Sequence, residues 1–389
     1  MLHFDDGFRN WLLELRRDLH RHPELAYQET WTTARISAEL EALGLEVKGF
    51  EGMTGLVGLL RGGQPGLTLG LRADIDGLPL EEATGLEFKS LNPGRMHACG
   101  HDANAAIMIG VARYLIESGL AKRLKGQIKF LFQPAEEAGA GALKMIEAGV
   151  LEDPPVDRLL AGHMSPETPV GQVGVYQAQG YASADRFRLV VRGRGGHGGR
   201  PHEAADPILA AAHFITALQS VVARNVDPLE AAVLSVCRIN AGTVSNVIPE
   251  EAELEGTIRA LAQPVRQLLH RRLAELAQSL EPAFGVKGLL EIFEGYPICV
   301  NDQETAAFIY QVAADVLGPD KVAWARPVTG AEDFAYFAQR VPSAIIRLGS
   351  RNEERGIIHP LHSPHFDLDE EVLLVGVTLF SEAARRFLG

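Results

Sequence analysis

The most informative stretch of the chain is Gln127-Ile128-Lys129-Phe130-Leu131-Phe132-Gln133-Pro134-Ala135-Glu136-Glu137. Its short apolar run predicts a buried strand over residues 127–132. Pro134 cannot donate a hydrogen bond to a sheet, so we expect the strand to end there. The two glutamates should then fall on an irregular turn directly after the strand, where α/β sheets place their functional sites.

Strands and helices alternate on both sides of this stretch. The other strands predicted in this part of the chain cover residues 55–60, 67–73 and 158–162. The helices predicted around them cover residues 8–20, 31–43, 104–117 and 142–148. This alternation predicts an α/β layered domain with a mostly parallel sheet.

The pattern changes near Tyr181, where a second module begins. Its predicted elements follow the order β-α-β-β-α-β, at residues 186–192, 207–223, 231–240, 251–261, 264–280 and 288–293. This order is typical of the split βαβ, ferredoxin-like plan. After Tyr296 the first pattern resumes. We therefore predict one discontinuous α/β domain, residues 1–180 and 295–389, and an inserted α+β domain, residues 181–294.

Composition excludes several classes of protein. The chain has 389 residues, 46% of them hydrophobic and 22% charged, which is typical of a globular enzyme. A net charge of −13 without a basic run argues against nucleic-acid binding. The N-terminus lacks a signal-peptide pattern, and no apolar run approaches the roughly 20 residues that cross a bilayer. We therefore expect no membrane partner.

The cysteines argue for a reducing compartment. There are three of them, Cys99, Cys237 and Cys299, an odd number at distant positions, which does not suit a disulfide framework. We expect a cytoplasmic protein in which Cys237 and Cys299 are core residues.

Metal-ligand residue types cluster near the predicted strand ends. Gly100 allows a sharp turn, so the side chains of Cys99 and His101 can face one point. The full set of candidate ligands is Cys99, His101, Glu137, His163 and His362. Thiolate, imidazole and carboxylate groups together suit Zn²⁺, Mn²⁺ or Co²⁺. The set is too large for one tetrahedral ion, which favours two ions roughly 3.5–4 Å apart.

The paired glutamates suit a division of labour. On an irregular turn they point in different directions, so one carboxylate can bind a metal while its neighbour moves a proton. The alternative is a solvated acidic pair that opens a helix, where the helix dipole favours negative charge.

At these residues the chain resembles the amidohydrolase branch of the aminoacylase and carboxypeptidase-G metallopeptidases, which includes hippurate hydrolases and auxin-conjugate hydrolases. The likeness covers nearly the whole chain. Its motifs are Leu19-His20-Arg21-His22-Pro23-Glu24-Leu25, Arg72-Ala73-Asp74-Ile75-Asp76-Gly77-Leu78-Pro79, Cys99-Gly100-His101-Asp102, Gln133-Pro134-Ala135-Glu136-Glu137, Gly195-Gly196-His197-Gly198, Pro201-His202, Asn246-Val247-Ile248-Pro249, Gly256-Thr257-Ile258-Arg259 and Glu332-Asp333-Phe334.

The resemblance implies a zinc-peptidase-like catalytic domain with Glu136 as the general base. It also implies that the inserted domain is a lid that often dimerises, which leaves a homodimer and a homotetramer open. Two divalent ions per subunit, Mn, Zn or Co, would be bound by Cys99, His101, Glu137, His163 and His362.

Further roles follow from the same resemblance. Arg72 stands where the wider family has a metal-binding histidine, so Asp74 is expected only to orient a ligand. His197 resembles the histidine that reaches a partner subunit's active site, where it would donate to the oxyanion. Asn246 and Arg259 are expected to hold the substrate carboxylate, the arginine by a bidentate pair.

The predicted function is metal-dependent cleavage of the amide bond of N-acyl or N-aroyl amino acids, giving a free amino acid and a carboxylic acid. Two activities of the same family stay open: exopeptidase action on dipeptides or aminobenzoyl-glutamate, and deacetylation of N-acetyl-diaminopimelate. A non-catalytic metal- or ligand-binding protein is a more distant alternative, and Glu136 argues against it because a structural site gains nothing from a free carboxylate beside a ligand.

Two other classes of enzyme are less favoured. Residues 193–198 match the dinucleotide fingerprint, but Pro201 follows soon after and no ribose-binding acid ends the next strand, which argues against a nicotinamide oxidoreductase. Cys99 could act as a thiol nucleophile paired with His101. The carboxylates and further histidines of the ligand set make metal binding the better explanation.

Overall fold

The computed structural model describes residues 2–389 and divides the chain into two compact units. The first consists of residues 2–180, 300–326 and 336–389. The second consists of Tyr181–Cys299 and Pro327–Ala335. Residues 295–299, predicted in the first domain, group with the second unit, and so do residues 327–335. For the latter the reason is local: the Ala182 amide donates to the Gly330 carbonyl at 2.9 Å.

The strands are named in chain order. They are β1 (Glu46–Phe50), β2 (Met53–Arg61), β3 (Gln64–Asp74), β4 (Lys125–Gln133), β5 (Arg158–Pro169), β6 (Val173–Val175), β7 (Gln179–Tyr181), β8 (Ser183–Arg192), β9 (Gly196–His197), β10 (Ala232–Ala241), β11 (Val247–Ile248), β12 (Glu251–Ala260), β13 (Lys287–Tyr296), β14 (Cys299–Val300), β15 (Val322–Trp324) and β16 (Ser343–Arg351).

The helices are named in the same way. They are α1 (Asp6–Arg21), α2 (Thr30–Ala42), α3 (His101–Glu117), α4 (Gly141–Glu147), α5 (Pro207–Asn225), α6 (Gln263–Phe284), α7 (Gln303–Leu317), α8 (Ala335–Ala338) and α9 (Glu371–Leu388). Short 3₁₀ turns occur at Ala121–Arg123, Pro201–Glu203 and Pro319–Lys321.

An eight-stranded sheet forms the centre of the first unit, in the order β1-β2-β4-β3-β5-β16-β6-β15. Strands β4, β3, β5 and β16 run parallel, whereas β1 and β2 add antiparallel strands at one side. Nearly the whole length of β4 is buried, as expected for a strand covered on both faces. The predicted α/β fold with a mostly parallel sheet is confirmed.

Helix α3 is buried along most of its length in the first unit. Its small side chains, including Ala105, Ala106 and Gly110, let neighbouring elements approach closely, and a Cβ at Gly110 would lie 2.7 Å from Val377 of α9. Since His101 begins this helix, tight packing of α3 holds that residue in place.

The second unit contains a four-stranded antiparallel sheet in the order β10-β12-β8-β13. Helices α5 and α6 cover one face, where Phe187, Phe214, Leu254 and Leu273 are buried. Strands and helices follow one another as β-α-β-β-α-β, so the predicted ferredoxin-like plan is confirmed. The short strands β9 and β11 form a separate two-stranded ribbon.

Helix α5 corrects one expectation from the sequence. Among the described residues, Pro207–Asn225 is long and apolar enough to cross a membrane by length and composition, with 33% of it buried. From the sequence we expected no apolar run that approaches this length. One face of the helix, with Ala210, Phe214 and Leu218, packs into the core of the second unit, as amphipathic helices do.

Candidate metal centre

The turn Cys99-Gly100-His101 brings two predicted ligands together. Gly100 has φ +82°, and a Cβ there would lie 2.5 Å from the Met164 side chain, so the predicted need for glycine is confirmed. Helix α3 begins at His101 rather than at the predicted residue 104. No capping side chain marks this start in the sequence, because the N-cap residue is Gly100, which adopts a left-handed conformation.

His163 lies inside β5, not after its end. The strand continues to Pro169 because its residues keep pairing with β16, where His163 lies opposite Arg347. The predicted strand end at residue 162 is therefore wrong, since a polar side chain does not interrupt a backbone ladder. His163 Nδ1 donates to the Met164 carbonyl at 3.0 Å, and its Nε2 lies 3.4 Å from Cys99 Sγ.

Glu136 and Glu137 lie on the irregular turn after β4, as the sequence suggested. Glu137 Oε1 is 3.3 Å from His362 Nε2 and 3.9 Å from His101 Nε2. His362 has φ +63°, an uncommon conformation for a residue other than glycine, and its amide donates to the Ala98 carbonyl at 2.8 Å.

The predicted ligands and Glu136 form overlapping groups of donor atoms. Within each group the donor atoms all lie within 4.8 Å of one another. Because the groups share residues, they form one continuous cluster in the first unit. The groups are Cys99, His101 and His163; Cys99, Glu137 and His362; and His101, Glu136 and Glu137.

Two buried atoms of this cluster fit a bound cation. Among residues 2–389, His101 Nε2 and Glu137 Oε1 make no hydrogen bond of good geometry, although His362 Nε2 approaches Glu137 Oε1 to 3.3 Å. Such atoms are costly when buried, unless a partner such as an ion satisfies them. His101 Nδ1 lies 2.9 Å from the Asp76 carbonyl and would donate to it, which leaves Nε2 with the lone pair that a metal needs.

The charges of the cluster also fit a cation. Burial alone would lower the pKa of His101, but Asp74, Asp76 and Glu137 outweigh it and raise that pKa to about 10. Burial raises the pKa of the Cys99 thiol well above its ordinary value, and Glu137 and Glu136 add to the effect. A divalent cation therefore competes with protons on His101 and Cys99, as metals do at thiolate and imidazole sites.

Asp74 is satisfied by protein groups. Its carboxylate receives hydrogen bonds from Arg72 at 2.6 Å and from Asn104 at 2.7 Å, and it lies 3.7 Å from His101 Nε2. Burial opposes ionisation of Asp74, but His101 and Arg72 lower its pKa well below the ordinary value. The contact with Arg72 explains why an anion is stable at this buried position.

The remaining predicted residues belong to the second unit. His197 is exposed on β9, and its Nδ1 accepts from the Gly199 amide at 2.9 Å. Asn246 lies on the same ribbon, since its carbonyl accepts from the Gly198 amide at 2.8 Å. Arg259 lies on a different element, the strand β12, where it is half-buried and burial lowers its pKa.

Two buried carboxylates in contact with the glutamate turn were missed. Asp76 accepts from the amides of Glu136 and Glu137, and Glu29 accepts from the amide of Ala135. The Asp-x-Asp spacing of Asp74 and Asp76 at the end of β3 could have drawn attention to Asp76. No local signal marks Glu29, because its partner lies far away in the sequence.

Cys237 corrects another expectation. It is exposed on β10, whereas Cys299 is buried as predicted. Position 237 falls where the pairing of β10 with β12 is irregular, between Val236 and Arg238, so the alternation of buried and exposed residues breaks there.

Comparison with known proteins identifies the family. Residues 70–386 match the model of peptidase family M20/M25/M40. The chain is 40% identical over 381 residues to an N-acetylcysteine deacetylase of Bacillus subtilis, covering 98% of this chain and 97% of that protein. It is 39% identical over 382 residues to thermostable carboxypeptidase 2 of Saccharolobus solfataricus, covering 97% and 95%.

Two further comparisons agree. An IAA-amino acid hydrolase of Arabidopsis thaliana is 35% identical over 387 residues, covering 98% of this chain and 87% of that protein. The crystal structure of the YXEP protein of Bacillus subtilis, a dinuclear metal-binding peptidase of the M20 family, superposes with a TM-score of 0.86 at 37% identity, covering 99% of both chains. This chain therefore belongs to peptidase family M20/M25/M40 and is a hydrolase of the metallopeptidase type.

Proposed function

We propose that the enzyme hydrolyses the amide bond of N-acyl or N-aroyl amino acids to a free amino acid and a carboxylic acid. One observation carries the proposal: the buried carboxylate of Glu136 lies beside donor atoms of His101 and Glu137, within 4.8 Å. A proton-transfer group next to a metal cluster suits hydrolysis, whereas a purely structural site would not need it. Relatives named for N-acetylcysteine and for IAA-amino acids support the choice of substrate class.

The proposed cofactors are two divalent ions, Mn, Zn or Co. Cys99, His101, Glu137, His163 and His362 would hold them. When bound, such ions polarise an amide carbonyl and make a water molecule more acidic. Asp74 would help to orient the ligands through its charge, 3.7 Å from His101 Nε2, while the Asp76 carbonyl accepts from His101 Nδ1.

Each catalytic residue has a proposed role in moving protons or placing the substrate. Glu136 would take a proton from the attacking water and give it to the leaving amine nitrogen, which is a poor leaving group until protonated. His197 would donate a hydrogen bond to the oxyanion. Asn246 and Arg259 would bind the substrate carboxylate, the arginine through paired N–H groups.

The proposed assembly is a homodimer or homotetramer formed through the second unit. In its sheet, β10 is an edge strand with unpaired backbone groups. Exposed apolar side chains lie on and after this strand, at Ile239, Val244 and Val247. Such groups favour burial against another chain. The proposed location is cytoplasmic, from the cysteine content.

A second candidate function is exopeptidase action on dipeptides. It is favoured by the 39% identity to a thermostable carboxypeptidase, which matches almost as well as the deacetylase. Both activities break an amide bond next to an amino-acid carboxylate, so the same metal cluster would serve either. They differ in the group on the carbonyl side of the scissile bond, an acyl or aroyl group in one case and an aminoacyl group in the other, which a substrate panel distinguishes.

The test is a hydrolysis assay on N-acetyl, N-benzoyl and indole-acetyl amino acids, aminobenzoyl-glutamate and dipeptides. Chelator-treated enzyme, enzyme restored with Mn²⁺, Co²⁺ or Zn²⁺, and Glu136→Gln would be compared. We expect metal-dependent cleavage of acyl or aroyl substrates that is lost in Glu136→Gln while metal stays bound. Cleavage of dipeptides alone would favour the second candidate, and activity without metal would contradict both.

A further inference from the structure

We propose that Asp76 and Glu29 are positioning residues that hold the turn carrying the general base. Between them they accept hydrogen bonds from three consecutive backbone amides, those of Ala135, Glu136 and Glu137. The inference rests on the proposed function for its consequence in catalysis, but the contacts themselves do not depend on it.

Asp76 uses both of its carboxylate oxygens on the turn. Oδ1 accepts from the Glu136 amide at 3.1 Å, and Oδ2 accepts from the Glu137 amide at 3.0 Å. The side chain is 1% exposed, so water does not compete for these contacts. Hydrogen bonds to a charged acceptor are stronger than neutral ones, so the pair fixes the direction of the backbone under both glutamates.

Glu29 holds the same turn from another element. Its Oε1 accepts from the Ala135 amide at 2.9 Å, and its Oε2 accepts from the Thr54 hydroxyl at 2.5 Å. It is fully buried at the start of α2. The turn therefore contacts carboxylates that come from two distant parts of the chain.

The turn needs such support because its backbone is unfavourable. Ala135 has φ +55°, which residues other than glycine adopt only when their surroundings impose it. Residues 134–140 belong to no helix or strand, so no regular ladder satisfies their amides. The two carboxylates satisfy these amides instead of a sheet ladder. They thereby hold the backbone that sets the direction of the glutamate side chains.

Asp76 also connects the turn to a predicted metal ligand. His101 Nδ1 lies 2.9 Å from the Asp76 carbonyl, so one residue contacts both the histidine and the two glutamates. Asp76 is itself held on both sides: the Ile75 amide donates to the Gln133 carbonyl at 3.0 Å, and the Gly77 amide donates to the Glu24 carbonyl at 2.7 Å. A shift of Asp76 would therefore disturb the base and the ligands together.

The test uses Asp76→Asn, which keeps the size of the side chain but leaves a single acceptor oxygen. Its NH₂ group would face a backbone N–H, so one of the two amides loses its partner. Glu24→Gln is the matched control: Glu24 is also buried and accepts two amides, those of Trp31 and Thr32, but at the start of α2.

The first readout is amide hydrogen exchange of a peptide covering residues 133–140 in metal-free protein. In the wild type we expect the amides of Ala135, Glu136 and Glu137 to exchange as slowly as those of β4, although they lie outside any strand. Fast exchange in the wild type would overturn the proposal, and this holds even if a variant does not fold. In Asp76→Asn we expect fast exchange in this peptide and unchanged exchange in α3.

The second readout is metal affinity, measured by titrating apoprotein with Co²⁺, together with kcat and KM. We expect Asp76→Asn to weaken metal binding by roughly 10–100-fold, as residues that orient ligands do. We expect kcat to fall by about 100-fold, the effect of a small misplacement of a catalytic group, with little change in KM. Glu24→Gln should lower the thermal midpoint without changing exchange in residues 133–140, metal affinity or kcat.

The outcomes separate this proposal from the proposed function. Hydrogen exchange and Co²⁺ titration need no substrate, so a wild type that cleaves nothing in the panel would contradict the function and leave the positioning test intact. If Asp76→Asn keeps both slow exchange and wild-type Co²⁺ affinity, the positioning role is wrong whatever the substrate is.

Discussion

Each unit contains a cluster of buried charged groups, and the two clusters differ in how completely their atoms are satisfied. In the second unit, Asp185 accepts from Arg266 at 2.8 and 2.5 Å, from His270 at 2.7 Å and from the Gly295 amide at 3.0 Å. In the first unit, His101 Nε2 and Glu137 Oε1 lack a hydrogen-bond partner among the described residues.

The difference separates a structural cluster from a functional one. Hydrogen bonds and ion pairs within the second unit satisfy the buried carboxylate of Asp185, so it needs no further ligand. In the first cluster, atoms that could ligate a metal lie close together, and two of them are buried without a hydrogen bond. This arrangement is unfavourable unless a cation binds to them. Of these two clusters, only the one that contains the predicted metal ligands has buried atoms without a hydrogen bond among the described residues.

The largest effect is expected for Glu136→Gln. The amide cannot accept the proton of the attacking water, so kcat should fall by about 10²–10⁴-fold. Metal content should not change, because the proposed ligands are retained. Kinetics with the best substrate of the panel and elemental analysis of the purified variant check both statements. Retention of wild-type kcat would remove Glu136 from the base role.

Cys99→Ser should abolish tight metal binding. A hydroxyl is a much poorer ligand than a thiolate, so we expect affinity to fall beyond the roughly 10–100-fold typical of residues that only orient a ligand. Co²⁺ titration followed by absorbance measures the change. Cys237→Ser is the matched control, because Cys237 is exposed on β10 and should leave metal binding unaltered. Equal effects of the two substitutions would contradict the assignment.

A smaller effect, on stability alone, is expected for Asp185→Asn. The substitution removes the negative charge that Arg266, only 7% exposed, contacts at 2.5 Å, and leaves it the more distant carboxylate of Glu294 at 3.5 Å. Breaking such a pair costs about 3–5 kcal/mol. Urea unfolding of the second unit should shift accordingly, while Co²⁺ affinity stays at the wild-type value. A loss of metal affinity in this variant would show that the two clusters are not independent.

The pH dependence of the free energy of unfolding should also report on the Asp185 cluster. Burial would raise the pKa of Asp185, but hydrogen bonds from Arg266 and from the Gly295 amide lower it below its ordinary value. A carboxyl group whose pKa is lowered in the folded state stabilises the fold at pH values above its unfolded pKa of about 3.9. That contribution is lost as the pH falls through the folded-state pKa. We expect urea midpoints to fall steeply below about pH 4 in the wild type and less steeply in Asp185→Asn. Parallel curves would contradict this.

Much of this arrangement was predictable from sequence because it depends on local patterns. Apolar runs of strand length, helical periodicity and Pro134 indicated the α/β alternation, and residue types near strand ends indicated the cluster. The family motifs then indicated which of these residues were the best candidates for metal ligands and for the general base. The strand β5 ran further than predicted, since pairing with β16 decides its length and that partner lies far away in the sequence.

Other features depend on contacts that no single stretch of sequence reveals. Asp76 and Glu29 accept hydrogen bonds from the backbone amides of residues 135–137. Every residue except proline has such an amide, so no residue type marks these contacts in the sequence. The exposure of Cys237 follows from an irregular register between two strands. The helix start at His101 depends on the left-handed Gly100 rather than on a capping side chain.

The most direct test of the metal centre is a titration of metal-free enzyme with Co²⁺ in which bound metal and amide hydrolysis are followed in the same sample. We expect no hydrolysis without metal, two ions bound per chain, and hydrolysis that appears as they bind. In Glu136→Gln the same two ions should bind without hydrolysis. Full hydrolysis in metal-free enzyme, or no ion bound by a folded wild type, would show that this cluster is not a catalytic metal centre.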